Sequence, residues 1–458
     1  MKVKSLFIKD YHQFQDFSLD LTYPKGHKKA GLPLDKVCII GQSGTGKTSL
    51  LRFVEYMNRW KELEEIMPHT NNLVKDKNFV FTQQVPYLYI DSKISLDFGS
   101  NIRDDNSISF GIADETHYGF GYVNIGYVHR SFVHDYLKDI KYKTIFISTD
   151  LQHKFSEFSE VSDNLLKPNT DFIDFEDVHF GDYWNLLKKE ITDFQTKVLN
   201  KRNEFSKLVT NSSITTKELQ KAVDELREWE NQEKNPLKKI GEDFLDKIIN
   251  KFNLKVKTEV DLQDIGFIKL ETLEGKEVEN YLLSTGTKQI LLTALPLYVL
   301  KPKGSIIFID EPERSLYPDI QTQIVDIYSG LAEDCQFFYA THSPIVASSF
   351  EPWEIVELKF KEDGTVYREL YYDESKGNHV DNYFINPQYL RWDSILTKIF
   401  DLDMDSNPER IKQLMELAKI RSKIKKMNGS ATIEEKQELM EKFEKLANLL
   451  DWEFDEKN

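Results

Sequence analysis

The segment that most constrains this chain is Gly41-Gln42-Ser43-Gly44-Thr45-Gly46-Lys47-Thr48, followed by Ser49, which has the spacing GxxxxGK[ST]. Ahead of it stands KVCII (36–40), an apolar run of strand type. Behind it, SLLRFVEYMNRWKELEEI sets Leu50, Leu51, Val54 and Met57 on one helical face. A strand, a glycine loop and a helix in that order are what the pattern needs. Glycines let the backbone curl until successive N–H groups aim at phosphate oxygens. The helix starting near Thr48 turns the positive end of its dipole toward the same charge. Lys47 is then expected to reach the β- and γ-phosphates, and the Thr48 hydroxyl to ligate Mg²⁺. The cofactors implied are ATP and Mg²⁺.

A second apolar run, Ile306-Ile307-Phe308-Ile309, ends in Asp310-Glu311-Pro312. A buried strand tolerates carboxylates at its carboxyl end, where the crevice of an open α/β sheet holds ligands. Asp310 is placed to hold the hydration shell of Mg²⁺, and Glu311 to act as general base on the water that attacks the γ-phosphate. A helix and a further strand, QFFYAT (336–341), follow, so strands and helices alternate as a parallel sheet requires.

At Leu283-Ser284-Thr285-Gly286-Thr287-Lys288-Gln289 the chain resembles the ABC-type ATPase superfamily, whose signature motif is commonly LSxGxxQ. Ser315-Leu316-Tyr317-Pro318 resembles the SLHP loop of that superfamily, and Thr341-His342-Ser343-Pro344 its switch-histidine motif. The combination EPERSLYP with THSP is similar to the SMC/OLD-like branch rather than to transporter cassettes. The resemblance covers residues 1–60 and 255–360. It implies that Ser284 and the Gly286 backbone bind the γ-phosphate held by a second copy, so that two chains sandwich two ATPs head-to-tail. It also implies that His342 senses the γ-phosphate or the attacking water, and that a Q-loop glutamine exists. Gln152 is the choice by position, with Gln83 and Gln84 as rivals.

The expected fold is α/β: an ABC-type P-loop ATPase head with an antiparallel β subdomain, an inserted helical lobe and a C-terminal helical hairpin. The boundaries read as 1–160 for the lobe with the phosphate loop and β subdomain, and 161–254 for the helical insert. They continue with 255–375 for the signature, acidic and histidine motifs, and 376–458 for the helical tail. Strand-like patterns fill 79–150. Charged helix-forming sequence fills 180–252 as a compact lobe of two or three helices, too short for a long coiled-coil arm. In the tail, Ile411, Leu414, Leu417 and Ile420 are expected to face Leu439, Phe443, Leu446 and Leu449, or an effector protein.

The net charge of −16 argues against a surface built for nucleic acid or membrane. Cys38 and Cys335 sit in apolar runs without CxxC or Cys/His spacing, so neither a zinc module nor a disulfide framework is expected. No apolar run of about 18 residues suggests a spanning helix, and a cytoplasmic protein is expected. Asp401, Asp403 and Asp405 read as an acidic loop before a helix, not as a nuclease centre. Such a nuclease-free ATPase resembles the ATPase subunits of bacterial anti-phage defence systems of the Septu, retron-associated or PARIS type. The first reading is therefore a sensor and scaffold for a separate effector, a nuclease, with DNA or a phage-derived molecule as trigger. The alternative is a DNA-repair ATPase that clamps DNA between dimerised heads. A third is a regulator acting on ribosomes or a transporter.

Overall fold

The computed structural model describes residues 2–58, 95–98, 108–111, 143–149, 151, 172–176, 180–210, 214–232, 235–259, 268–368, 380–400, 402, 407–426 and 433–450. They fall into two compact units, Met1–Leu390 and Arg391–Asn458. In chain order the first unit opens with β1 (Ser5–Tyr11), β2 (Phe14–Asp20), β3 (Lys36–Gly41) and α1 (Lys47–Asn58). Next come β4 (Ser95–Phe98), β5 (Ile108–Gly111), β6 (Thr144–Ile147), β7 (Phe172–Asp174), α2 (Phe180–Val209) and α3 (Thr216–Gln232). After β8 (Leu254–Val256), β9 (Leu270–Thr272) and β10 (Glu277–Val278) follow α4 (Thr285–Leu300), β11 (Ile306–Asp310), β12 (Gln336–Ala340), β13 (Ile355–Phe360) and β14 (Val366–Arg368).

An 11-stranded sheet runs in the order β5-β4-β1-β2-β14-β13-β3-β12-β11-β6-β7. From β13 to β7 every neighbouring pair is parallel. β3, β11 and β12 are apolar almost without interruption, in keeping with burial on both of their faces. Phe308 stacks on Phe146 and Phe338 across them, at centroid distances of 6.2 and 5.1 Å. β1, β4 and β5 are antiparallel neighbours, and β1 pairs with β2 in the same sense. From Phe17 to Asp20 β2 alternates buried and exposed residues as a strand with one wet face does, after a break at Asp16, whose φ is +47°. The order places β12 between β3 and β11, so the loops after all three strands emerge side by side at one carboxyl edge. Of the strand-like patterns between 79 and 150, only β4, β5 and β6 lie within the described residues.

Three side chains help to fasten the sheet. At its amino edge, the fully buried Gln336 carboxamide accepts from Val3 N–H at 2.6 Å and donates to Val3 C=O and Leu34 C=O at 2.9 and 2.8 Å. The N-terminal hairpin is thereby sewn to the start of β3 and β12. Beside it, burial opposes ionisation of Asp35, but Lys2, Lys29 and the Tyr23 hydroxyl hold its carboxyl down at about 2. On α1, where Leu50, Leu51, Phe53 and Val54 are buried, Arg52 lies 3.5 Å over the Phe146 ring. It also pairs with Asp174 and stands 3.7 Å from Glu176, which ties the helix to β6 and β7.

α2 is 30 residues long, about 45 Å at 1.5 Å per residue, and packs against α3. β8, β9 and β10 form a separate antiparallel sheet. The second unit holds α5 (Trp392–Lys398), α6 (Pro408–Lys426) and α7 (Ile433–Leu449). Leu417 and Ile420 of α6 pack with Phe443, Ala447 and Leu450, supported by Leu414, Leu439 and Leu446. The pairing differs from the sequence expectation at one end: Leu449 is exposed and Leu450 takes the inward place, because the last turn carries it round.

Replacing Gln336 by Leu leaves three buried backbone groups unmatched. Gln336→Leu is expected to lower unfolding stability in urea by about 2–4 kcal/mol. An unchanged midpoint would show that the carboxamide does not fasten the sheet.

Candidate nucleotide site

The loop after β3 wraps because its glycines adopt backbone angles other residues avoid. Gly46 has φ +82°, and a Cβ there would fall 1.7 Å from Gln13 Nε2 and 3.1 Å from Phe14 Cζ. Gly41 has φ +149°, and its Cβ would come within 2.5 Å of the Leu358 carbonyl oxygen. The loop is thus wedged between the β1–β2 turn and β13, and neither glycine tolerates a side chain. Thr45, buried, donates its hydroxyl to Gln42 C=O at 2.8 Å and closes the turn. Lys47 Nζ curls over the loop and donates to Gly41 and Gln42 carbonyls at 2.9 and 3.1 Å. Burial pushes its pKa down, against the pull of Asp310, Glu311 and Glu313.

The Asp310 carboxylate ends β11 facing this loop. Its Oδ2 accepts from the Thr48 hydroxyl at 2.8 Å and from the Thr149 hydroxyl at 3.1 Å. Burial pushes the Asp310 carboxyl up, while the two hydroxyls stabilise its charged form. A threonine hydroxyl and one carboxylate are all-oxygen donors, the set Mg²⁺ takes when phosphate and water supply the rest of its octahedron. Among the described residues no group of three or more His, Cys, Asp or Glu side chains forms a protein-only cage. The donor chemistry fits Mg²⁺ brought in with a nucleotide.

Glu311 adopts a left-handed conformation at φ +48° and donates its N–H to Ala340 C=O at 2.8 Å. This turns the carboxylate out of the strand line toward β12. Its Oε1 lies 3.9 Å from His342 Nε2, and the two side chains are 37 and 41% exposed. Burial, then the nearby Lys47 ammonium, push the His342 pKa below its usual value despite both acids. A neutral imidazole therefore faces the carboxylate at neutral pH, able to donate or accept a hydrogen bond.

Ser284 caps α4: its Oγ accepts from Thr287 N–H at 3.1 Å and meets Thr287 Oγ1 at 2.8 Å. Gly286 lies against the loop after Glu311, since a Cβ there would sit 2.6 Å from the Ser315 carbonyl oxygen. The structure thus brings Gly41–Ser49, Asp310, Glu311 and His342 to one edge and sets Gly286, two residues after the Ser284 cap, against the loop after Glu311. Gln152, Gln83 and Gln84 lie outside the described residues.

Four contributors escaped the sequence reading. Gln13 lies over the phosphate loop, and Thr149 shares Asp310. Glu313 accepts His342 N–H at 2.8 Å, and burial pushes its carboxyl up. Gln321 bridges Leu316 and Ser343. Gln13, Thr149 and Gln321 lie outside the motifs, and Glu313 lies inside EPERSLYP without a role of its own read there; Thr149 carried a signal as a hydroxyl at the end of an apolar strand.

Residues 36–348 match the family described as "AAA domain, putative AbiEii toxin, Type IV TA system". That span exceeds half the chain and contains the phosphate loop, both acids and His342. The chain belongs to this AAA family. No curated protein matches it. Among solved structures, the Smc head bound to the C-terminal winged-helix domain of ScpA is similar at 12% identity, with a TM-score of 0.39 over 81% of this chain and 98% of that one. A second, the Smc head with an extended coiled coil bound to the C-terminal domain of ScpA from Pyrococcus furiosus, is 12% identical. Its TM-score is 0.36 over 80% of this chain and 96% of that one. At such identity and score neither assigns a role. Membership of the AAA family makes a nucleotide the expected ligand of the loop. Among the described residues no helix is long and apolar enough to cross a membrane.

If Lys47 helps keep His342 neutral, Lys47→Met should move the His342 titration, followed by NMR, toward higher pH than in the wild type. An unmoved titration would show that burial alone sets it.

Proposed function

We propose that this AAA domain binds Mg-ATP on Gly41–Ser49 and hydrolyses it between two copies of the chain. The observation that carries the reading is the pair Glu311 and His342, 3.9 Å apart and open to solvent beside the Thr48–Asp310 clasp. Glu311 takes the proton of the attacking water, and neutral His342 hydrogen-bonds that water or a γ-phosphate oxygen. Lys47 balances charge on the β- and γ-phosphates. Thr48 and Asp310 would hold Mg²⁺, which would offset the negative charge of the phosphates.

A half-open mouth needs a cover to exclude bulk water during transfer. The same chain offers one. Around the exposed cap of α4 stand Tyr281, Leu282 and Tyr317, exposed by 76, 63 and 69%. Clustered exposed apolar side chains mark interaction surfaces, and the α4 N-terminus they flank suits an anion. In the reading we favour, Ser284 and Gly286 of one copy complete the γ-phosphate site of the other, in a head-to-tail dimer.

ATP then gates assembly, and the assembled ATPase acts as sensor and scaffold for a separate effector, a nuclease, in bacterial anti-phage defence. The family description, with its toxin of a type IV toxin–antitoxin system, supports a role in cellular control over one in metabolism. The net charge of −16 makes a DNA clamp the weaker alternative.

Glu311→Gln is expected to keep ATP binding, to slow hydrolysis by about 10²–10⁴-fold and to accumulate an ATP-bound dimer in light scattering. Turnover at the wild-type rate would remove Glu311 as base. Lys47→Ala is expected to lose ATP binding in a fluorescent-nucleotide titration, and unchanged affinity would contradict the placement of the phosphates.

A further inference from the structure

The loop after Glu311 is tied to the His342 loop at both of its ends. At the near end, Glu311 N–H bonds Ala340 C=O at 2.8 Å and Glu313 Oε1 accepts His342 N–H at 2.8 Å. At the far end the Gln321 side chain makes a link. The Ser343 hydroxyl donates to Gln321 Oε1 at 2.7 Å, and Gln321 Nε2 donates to Leu316 C=O at 2.8 Å. Leu316 and Ser315 in turn lie against Gly286, where a Cβ would fall 2.6 Å from the Ser315 carbonyl oxygen and 3.5 Å from Leu316 Cδ2.

The orientation of the carboxamide is forced. Ser343 Oγ already accepts from Ile345 N–H and Val346 N–H at 3.2 and 3.3 Å, so both lone pairs are used and its one proton must go to Gln321. A flipped amide would set oxygen against the Leu316 carbonyl. The loop is also held against its own backbone preference, since Glu311 and Ser315 are non-glycine residues at φ +48° and +61°. A segment held by its ties moves when a tie moves.

We infer that Gln321 is a positioning residue that passes γ-phosphate occupancy, read at His342, to the N-terminus of α4. A shift of the 341–343 turn toward a phosphate drags Gln321, which draws Leu316 and resets the ground on which Gly286 and Ser284 rest. The nucleotide in a chain's own site thereby sets the surface that the chain offers to its neighbour. This rests on the composite-site reading above and adds a residue and a direction to it. Leucine at 321 keeps the size and loses both bonds. Glutamate keeps the bond from Ser343 and opposes the Leu316 carbonyl.

The test places Gln321→Leu and Gln321→Glu separately in the Glu311→Gln background. It measures melting temperature, affinity for a fluorescent ATP analogue at concentrations where the protein is monomeric, and dimerisation with Mg-ATP by light scattering. The expected result is folded protein with parental ATP affinity and a dimer dissociation constant raised by about 5- to 150-fold, the usual range of coupling between two sites. Dimerisation equal to that of the Glu311→Gln parent overturns the role of Gln321 and leaves the composite site standing. ATP affinity that falls in step with dimerisation also overturns it, since Gln321 then only builds the pocket. A parent that stays monomeric with Mg-ATP overturns the composite site and this role with it. If Gln321→Leu does not fold, Gln321→Glu decides.

Discussion

The site hangs on a carboxylate that the sheet buries at the end of β11. Asp310 would be costly there without partners, because an ionised acid loses its hydration on burial. Two hydroxyls from different segments meet that need on the same oxygen, Thr48 from the start of α1 and Thr149 from the end of β6. The clasp therefore does two jobs. It pins the phosphate loop to the acidic strand across the intervening β12, and it gathers the oxygen ligands that Mg²⁺ with phosphate would use. Strand order makes this geometry available: with β12 between β3 and β11, a histidine at the end of the middle strand stands beside both the loop and the acid.

From that clasp the remaining parts follow by contact. Glu311, one residue on, is turned aside by its left-handed backbone and meets His342. The glycines of the phosphate loop yield to Gln13, Phe14 and Leu358, so the N-terminal hairpin and β13 form the walls against which the loop is cast. The hairpin holds its own place through Gln336 and the Asp35 cluster, far along the strands from the site. Stability at one edge of the sheet and chemistry at the other thus share the same strands.

Much of this was legible in the residues alone. The strands 36–40, 306–309 and 336–341 announce themselves as apolar runs, so Lys47, Thr48, Asp310, Glu311 and His342 stand out in the residues alone as the groups at or beyond their ends. Ser284 is read from the sequence as part of an anion site for a second copy, and within one chain it is the N-cap of α4. What escaped was whatever depends on long-range pairing. Gln336 looks like an ordinary polar residue opening a strand, and only the fold brings Val3 to it. Glu313 and Gln321 sit in a polar stretch where nothing local distinguishes a buried partner from a solvated one. Leu449 and Leu450 are adjacent leucines, and helical phase, not residue type, decides which turns inward. The Q-loop glutamine was argued from position alone, without a local physical constraint to choose among Gln152, Gln83 and Gln84.

In the proposed head-to-tail dimer a working site takes its phosphate loop from one chain and its α4 cap from another. Mixing two inactive variants tests it most directly. Lys47→Ala lacks the phosphate lysine and Ser284→Arg blocks the cap, so in a head-to-tail heterodimer one site carries both defects and the other carries neither. Each variant alone is expected to be nearly inert, and the equimolar mixture to regain ATPase activity. A mixture no more active than its components, with Ser284→Arg alone hydrolysing ATP at the wild-type rate, would contradict it.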